Sequence, residues 1–290
     1  MIYASAPGKL NLFFEVGALR PDGYHSVTSV YQALAIRQTV GVEPSNKWEV
    51  ITQGDLPQAQ LDLVPKDETN LSVVAAKALA DFAGISNPQP MRFHTFKQVP
   101  VAAGLAGGSA DAAAALLALN SAWELGLDDI QLRKVASKVG SDVPFSLLGG
   151  TALGLDTGIE LEKLSDLPTM QVVLLVSPIG LSTKEVFARF DELFPDGDLV
   201  ADPADAISGV RAGSKIGKNS LLEPAISLRP ELVEFQNLLP GTVGHLSGSG
   251  PTIYFVTNSV QQASDWQQQL SDLGHFAIHT TTAGHGAEAQ

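Results

Sequence analysis

The chain has 290 residues, 44% of them hydrophobic, which is enough material for two compact domains or one large one. Its 18 basic and 31 acidic side chains give a formal net charge of −13, whereas a nucleic-acid-binding surface is normally basic. The absence of cysteine excludes disulfides, thiolate catalysis and cysteine-bound zinc.

The sequence shows the pattern of neither a signal peptide nor a membrane-spanning helix. The first residues, MIYASAPGK, lack the basic and apolar regions of a signal peptide, and no uncharged apolar run is long enough to cross a bilayer. We therefore expect a cytoplasmic metabolic enzyme that binds neither nucleic acid nor a membrane.

The first half of the chain mixes strand and helix patterns without strict alternation of the two. Period-two hydrophobicity and β-branched residues predict strands at residues 10–16, 27–36, 40–42, 48–52 and 91–99. Hydrophobic residues that recur about every 3.6 positions predict helices at residues 70–83, 109–125 and 130–139. Asp128 or Asp129 is the expected N-cap of the last one.

The second half begins with a polar, turn-rich segment at residues 155–168. Strands are predicted at residues 170–176, 253–257 and 276–280, and helices at 182–193, 203–212, 221–227, 230–238 and 260–273. Residues 283–290 have little to bury, so we expect them to be frayed.

The most informative stretch is PVAAGLAGGSAD, from Pro100 to Asp111, directly before the alanine-rich helix. Glycines permit left-handed backbone and a close approach to a ligand. The start of the helix offers unpaired N–H groups and a positive dipole end, which suit phosphate, and Ser109 there either caps the helix or faces a magnesium ion. The alternative to a phosphate-binding loop is a tight turn between a strand and a packed helix, in which glycine is needed only because no larger residue fits.

Two common phosphate-binding motifs are excluded. No G-x-x-x-x-G-K-[ST] run exists, and the nearest imitation, residues 213–219, is one residue short and lies in a polar region. A dinucleotide fingerprint would need G-x-G-x-x-G after a first strand, and that context is absent.

Other motifs flank the glycine-rich stretch. PGKLNL begins at Pro7, GSDVPF at Gly140, and a further glycine turn, LSGSGPT, at Leu246. Together and in this order they resemble the motifs of the GHMP kinases over nearly the whole chain. The resemblance implies an α+β, two-domain fold. An ATP-binding domain like the second domain of ribosomal protein S5 would occupy residues 1–154. A ferredoxin-like domain would occupy residues 155–290, with the active site between the two.

The run RPDGYH at residues 20–25 and the segment at 65–71 narrow the resemblance to one branch of that family. Its members phosphorylate the 2-hydroxyl of 4-diphosphocytidyl-2-C-methyl-D-erythritol in non-mevalonate isoprenoid biosynthesis, and the same activity is implied here. The sequence departs from the branch at Ala106, where glycine is usual, and around Asp156. These departures put loop contacts in doubt, but they remove no charged catalytic residue.

The resemblance implies two catalytic residues, Lys9 and Asp142. Phosphoryl transfer needs alignment, charge neutralisation and an acceptor for the hydroxyl proton. Asp142 would take that proton, and Lys9 would lower the pKa of the hydroxyl or of the aspartate and offset the charge on the transferred group. Each residue alone has a simpler interpretation: Asp142 precedes Pro144 and suits a turn or helix cap, and Lys9 stands beside a turn.

The remaining implied site residues fall into two groups. ATP, bringing Mg²⁺ with it and needing no metal site of the protein's own, would contact Asn70, Pro100, Val101, Ala102, Ala103, Gly104, Leu105, Ala106, Gly107, Gly108, Ser109 and Ala110. The substrate, a cytidine diphosphate sugar alcohol, would contact Asn11, Tyr24, His25, Thr183 and Phe187. Tyr24 and Phe187 would stack on the base, although an aromatic residue on a helix is more often part of the core.

Two alternatives remain open at this point. One is another GHMP kinase, such as a homoserine or mevalonate kinase, against which the DGYH run and Phe187 argue. The other is a non-catalytic sugar or nucleotide sensor, which intact Lys9 and Asp142 disfavour. We expect a monomer or a weak homodimer.

Overall fold

The structure, a computed structural model, describes residues 1–197, 200 and 202–290. The strands are β1 Ile2–Leu19, β2 His25–Pro44, β3 Glu49–Gly54, β4 Met91–Lys97, β5 Thr151–Leu155, β6 Glu160–Lys163, β7 Gln171–Val176, β8 Lys218–Asn219, β9 His245–Leu246, β10 Ile253–Thr257, β11 Phe276–Ala283 and β12 Glu288–Ala289. The helices are α1 Gln58–Leu61, α2 Leu71–Phe82, α3 Gly107–Ala122, α4 Asp129–Val139, α5 Val143–Leu148, α6 Thr183–Leu193, α7 Pro203–Arg211, α8 Leu222–Leu228, α9 Glu231–Gln236 and α10 Val260–Asp272.

The first half is organised around two long antiparallel strands, β1 and β2, which pair from Ile2↔Val42 to Leu19↔His25. Strands β4 and β5 pair with β2 at its two ends, and β3 and β6 extend the sheet beyond them. Helix α3 packs on β1 and β2 and also contacts α2. Because most of its buried positions are alanine, α3 lies close to the sheet and brings its N-terminus to the edge of β1.

The second half contains a smaller antiparallel sheet in the order β11–β7–β10–β9. Helix α10 packs against β7, β10 and β11, and α6 packs on α8. Strand β11 pairs with β7 through residues 276–281 and then with β2 through Thr282 and Ala283. One strand therefore joins the two sheets, and the division after residue 154 stays a prediction.

Several expectations from the sequence are wrong in detail. Residues 283–290 are not frayed, because β12 pairs with β1 and Arg37 donates to the carbonyl of Gly286. The turn-rich segment 155–168 contains β6, and the two strands expected at 27–36 and 40–42 are one, β2. Helix α3 begins at Gly107, two residues earlier than expected, so Ser109 is not its cap.

Most helices and strands lie where hydrophobic periodicity predicts them. Strand β10 has the expected bounds, and α4 has the expected cap, a capping box formed by Asp128 and Gln131. Within the described part of the chain, no helix combines the length and the apolar character needed to span a membrane.

Candidate active site

A cleft of about 1430 Å³ lies where the glycine-rich loop, the start of β2 and helix α6 meet. Pockets for a single small ligand usually measure about 300–1,000 Å³. The cleft therefore has room for two substrates. Its wall includes most of the residues predicted to form the site: Lys9, Asn11, Tyr24, His25, Ala102, Ala103, Gly104, Ala106, Gly107, Gly108, Ser109, Asp142, Thr183 and Phe187.

The glycine-rich loop leads directly into α3. Ala106 is the N-cap of the helix, in left-handed conformation (φ 57°), and its side chain makes no capping hydrogen bond. Ala102 also has a positive φ, 51°. Left-handed backbone at a non-glycine residue costs about 1–2 kcal/mol. Such strain is typical of ligand-binding loops. The first N–H groups of α3 lack side-chain caps, an arrangement that suits phosphate oxygens.

The glycine-rich loop and the glycine turn at residues 246–252 contact each other through their backbones. A Cβ on Gly104 would lie 2.2 Å from the carbonyl oxygen of Ser247, and one on Gly248 would lie 2.9 Å from the Nζ of Lys9. Both glycines have positive φ, and the hydroxyl of Ser247 donates to the carbonyl of Gly104 at 3.0 Å. The turn at 246–252 is therefore needed to hold the glycine-rich loop beside Lys9.

Lys9 lies on β1 in the wall of the cleft and is only 4% exposed. Its Nζ donates to Oδ1 of Asn11 at 2.6 Å, and Asn11 in turn donates to the hydroxyl of Ser29 at 2.8 Å. Its backbone N–H donates to the carbonyl of Leu105, which ties β1 to the glycine-rich loop. Burial lowers the pKa of Lys9, and the nearby carboxylate of Asp142 opposes that shift. The ammonium is thus held in one position by an amide and a carboxylate.

Asp142 occupies the N-cap position of α5, but its side chain makes no capping hydrogen bond. Its Oδ2 lies 3.9 Å from the Nζ of Lys9, and its side chain is 29% exposed. Phe145, in the same short helix, stacks on Tyr31 of β2 with ring centroids 4.9 Å apart. This packing fixes α5, and with it Asp142, above Lys9. Asp142 thus stands at the helix cap, as the simpler interpretation has it, but its side chain does not cap the helix; its catalytic role stays a prediction.

Aromatic residues line the other end of the cleft. Tyr24 is 62% exposed, whereas Phe187 on α6 is partly buried and packs against the His25 ring at 5.2 Å. The hydroxyls of Thr183 and Ser249 are 2.9 Å apart across the cleft. The residues predicted to bind the substrate are therefore brought together, and their contact with it stays a prediction.

Arg20 joins two loops at the mouth of the cleft. Its guanidinium forms ion pairs with Asp22 in its own loop and with Asp156 between β5 and β6. These pairs hold the pKa of both carboxyls below the usual range. Asp156 has a positive φ of 59°, which explains why glycine would be accommodated there. The aspartate at position 156, which departs from the family pattern, thus links the two loops through its ion pair with Arg20.

Some predicted ATP-binding residues lie outside the cleft wall: Asn70, Pro100, Val101, Leu105 and Ala110. Leu105 and Ala110 are fully buried in the core. The side chain of Asn70 accepts from the N–H of Ser72 and donates to the carbonyl of Pro65, as a helix cap does. Its direct contact with a nucleotide stays a prediction.

The cleft wall also contains residues to which the sequence assigned no role, among them Lys138 on α4, Asp191 on α6 and Ser249. Asp191 follows Phe187 by four residues, so helical spacing places both on one face. This four-residue spacing is the sequence signal that could have identified Asp191 as a residue of the cleft wall. For Lys138, nothing in the local sequence distinguishes it from an ordinary exposed helix lysine.

Comparison with known proteins gives consistent matches. The family profile described as "GHMP kinases N terminal domain" matches residues 70–150. The 4-diphosphocytidyl-2-C-methyl-D-erythritol kinase of a Nocardioides species is 41% identical over 283 residues, which cover 94% of this chain and 94% of that protein. The enzyme of the same name from an Arthrobacter species is 39% identical over 302 residues, covering 98% and 92%.

Solved structures agree with these matches. The crystal structure of a 4-(cytidine 5'-diphospho)-2C-methyl-D-erythritol kinase superposes with a TM-score of 0.76 at 28% identity, covering 97% of this chain and 99% of the other. A mevalonate kinase from L. major superposes with a TM-score of 0.70 at 13% identity, which shows the shared fold alone. By its fold, its motifs and its nearly full-length relatives, the chain belongs to the 4-diphosphocytidyl-2-C-methyl-D-erythritol kinase family of the GHMP kinases.

Proposed function

We propose that the protein transfers the γ-phosphoryl group of ATP to the 2-hydroxyl of 4-diphosphocytidyl-2-C-methyl-D-erythritol, in the non-mevalonate route to isoprenoid precursors. The observation that carries the proposal is the arrangement of Lys9 and Asp142, which lie 3.9 Å apart in the wall of one cleft. The glycine-rich loop borders the pair on one side, and Tyr24, His25 and Phe187 line the other end.

Asp142 is the proposed proton acceptor. As the 2-hydroxyl oxygen forms its bond to the γ-phosphorus, the bond from that phosphorus to the β–γ bridging oxygen breaks, and the hydroxyl proton passes to the Asp142 carboxylate. Partial exposure of that side chain supports this role, since the carboxylate must reach the substrate hydroxyl. ADP and the phosphorylated alcohol are the products.

Lys9 is the proposed charge-stabilising residue. Its ammonium lies in a buried position, where a charge acts more strongly than it does in water. Because Asn11 fixes the Nζ in place, little reorganisation is needed when negative charge develops on the transferring group. The same ammonium attracts the Asp142 carboxylate across 3.9 Å and so helps to hold the proposed proton acceptor in place.

The ATP phosphates are proposed to lie at the start of α3, over residues 106–109. Mg²⁺, carried in with ATP, would neutralise charge shared by the β- and γ-phosphates. Among the described residues, no cluster of three or more acidic or histidine side chains could hold a metal ion. The ion would be held mainly by phosphates and water, and Asp142 and Ser109 are oxygen-bearing side chains of the cleft wall that could add to them.

The test is a coupled assay of ADP release with a panel of alcohol acceptors: the cytidyl compound, homoserine and mevalonate. We expect ATP consumption to depend on the cytidyl compound and the product to carry phosphate on its 2-hydroxyl. Preference for homoserine or mevalonate would assign the protein to another activity of the fold. Binding of the cytidyl compound without ATP consumption would instead indicate a sensor.

A further inference from the structure

The aromatic ring of Tyr31 on β2 lies close to the Lys9 ammonium. Tyr31 is 4% exposed, belongs to the cleft wall and pairs with Asn11 in the β1–β2 ladder. The Nζ of Lys9 lies 6.0 Å from the centroid of its ring. An ammonium within about 6 Å of an aromatic face is attracted to it, most strongly where water is excluded. The ring therefore helps Asn11 to hold the ammonium in position.

The same ring also holds the helix that carries Asp142. It stacks on Phe145 of α5, with the ring centroids 4.9 Å apart and an angle of 27° between the planes. Phe145 is fully buried and follows Asp142 by three residues, so the stack fixes the first turn of α5. Tyr31 thus interacts with Lys9 through its ring and with Asp142 through Phe145.

Strand β5 and the turn after it are shaped around this ring. A Cβ on Gly154 would lie 2.4 Å from Cε2 of Tyr31, and one on Gly158 would lie 2.7 Å from the Tyr31 hydroxyl oxygen. Gly154 does not have a positive φ, so its backbone would accept alanine, and the obstacle to a larger residue is the ring itself. The Tyr31 ring therefore has little room to move away from Lys9 and Phe145.

The hydroxyl of Tyr31 stays protonated in this environment. Burial and the nearby Asp142 carboxylate raise the pKa of the hydroxyl above its ordinary value of 10.0. The hydroxyl is therefore no rival to Asp142 as a proton acceptor. What Tyr31 supplies to the Lys9–Asp142 pair is the position and the packing of its ring.

We propose that Tyr31 is a positioning residue whose ring sets the spacing between Lys9 and Asp142. This inference rests on the proposed function and deepens it, because it assigns the geometry of the pair to a residue that acts through other residues. A misplacement of about 1 Å in a catalytic site can lower a rate by about 100-fold. Loosening the ring should therefore lower kcat.

The first test replaces Tyr31 with Leu, which removes the ring, and with Phe, which keeps it. We expect Tyr31→Leu to lower kcat by about 10-fold or more while KM for ATP changes less than about twofold. Tyr31→Phe should stay within about threefold of the native kcat. A native kcat in Tyr31→Leu would overturn the inference.

Trp48→Leu is the matched control for the loss of a stacked ring. Trp48 stacks on Phe93 with ring centroids 6.4 Å apart, and both residues lie outside the cleft wall. The change removes a stacked aromatic side chain from the same sheet without disturbing the Lys9–Asp142 pair, so kcat should stay native. A loss of kcat equal to that of Tyr31→Leu would show that general loosening of the fold is responsible, contrary to the inference.

A second background separates a positioning role from a merely structural one. If Tyr31 acts through Asp142, removing the ring from Asp142→Asn should lower kcat further by less than about twofold, because residues that act as a unit are not additive. A merely structural role predicts the same loss of kcat in both backgrounds, and that result would contradict the proposal.

Gly154→Ala tests the same idea with the ring present, and it keeps the proposal testable if Tyr31→Leu does not fold. The added methyl group would displace the ring, because the contact of 2.4 Å cannot be kept. We expect kcat to fall by about fivefold or more. Native kcat in a folded Gly154→Ala variant would show that the position of the ring does not matter.

Crystal structures of the native protein and the variants separate this inference from the proposed function, since they need no turnover. We expect the distance between the Lys9 Nζ and the Asp142 Oδ2, 3.9 Å in the native protein, to change by about 1 Å in Tyr31→Leu and Gly154→Ala. It should stay the same in Trp48→Leu. If the native protein phosphorylates no cytidyl acceptor, the proposed function fails, but the changed distance still supports Tyr31 as the spacing residue. An unchanged distance would rule that role out, even in an active kinase.

Discussion

Two lysine–aspartate pairs, each with a buried lysine, lie near the glycine-rich loop and are built differently. Lys97 at the end of β4 forms a direct ion pair with Asp111 in α3, and both side chains are almost fully buried, at 2% and 4% exposure. Lys9 and Asp142 are 3.9 Å apart, and Asp142 opens to the cleft. The first pair closes on itself and the second leaves its carboxylate accessible.

The difference shows in the charges that each pair holds. Burial raises the pKa of the Asp111 carboxyl, and the Lys97 ammonium opposes the shift. For Lys9, burial lowers the pKa, and Asp142 opposes it from a greater distance. The closed pair can only hold structure in place: it fixes the N-terminal turns of α3, which follow the glycine-rich loop, against β4. An open pair can exchange a proton with a ligand.

The largest effect is expected from breaking the closed pair. Asp111→Ala leaves the Lys97 ammonium buried and unpaired, so we expect the free energy of unfolding to fall by about 3–5 kcal/mol. Urea denaturation measures this fall. Asp81→Ala, at an exposed position of α2, is the control and should stay within about 0.5 kcal/mol of the native protein. A loss below about 1 kcal/mol for Asp111→Ala would show that water reaches Lys97.

The open pair should instead be sensitive in catalysis. Asp142→Ala is expected to lower kcat by at least about 100-fold, the lower end of general acid–base contributions. Affinity for ATP should change little, and stability should fall less than in Asp111→Ala, because Lys9 keeps its hydrogen bond to Asn11 and the Asp142 carboxylate makes no capping hydrogen bond. Steady-state kinetics and nucleotide titration check this. Asp129→Ala, an exposed change in the first turn of α4, should keep the native kcat. A kcat for Asp142→Ala within a few-fold of native would make Asp142 a structural residue.

A smaller effect concerns stability against pH. Because the folded-state pKa of Lys9 is lowered from its ordinary value of 10.5, the unfolded chain binds more protons in the interval below 10.5. Stability should therefore rise with pH across that interval, by at most about 1.4 kcal/mol per pH unit for one proton. Lys9→Met should remove this part of the slope.

Denaturation of the native protein and of Lys9→Met at several pH values up to 10.5 measures the contribution. Lys134→Met, at an exposed position of α4, is the matched control and should keep the native slope. Identical slopes for native protein and Lys9→Met would mean that Lys9 titrates as an exposed lysine does, contrary to its burial.

Sequence periodicity predicted most helices and strands, because each depends on neighbours along the chain. It failed for β12, whose partner is β1 at the other end of the sequence; nothing in the polar residues 283–290 signals that pairing. The start of α3 was misplaced because Gly107 and Gly108 have low helix propensity, yet the helix begins with them.

The site shows the same limit. The motifs and the family resemblance placed Lys9, Asp142 and the aromatic residues in one site, and the structure brings them to one cleft; their roles stay predictions. The sequence put Asp111 only at the start of a phosphate-binding helix, whereas the structure pairs it with Lys97. That pairing depends on β4 lying beside α3. Likewise, the contact between Asp191 and His25 joins residues 166 positions apart (191 − 25).

Strand β11 bears on how the substrates enter. Because β11 pairs first with β7 and then with β2 without a break, backbone hydrogen bonds between strands connect the two sheets. Swinging the halves apart on a hinge would break those bonds. Access to the cleft should instead depend on the surface loops around it, at residues 20–24, 102–106 and 156–159. Two of these loops are linked through Arg20 and Asp156, so we expect that ion pair to influence how substrates enter and products leave.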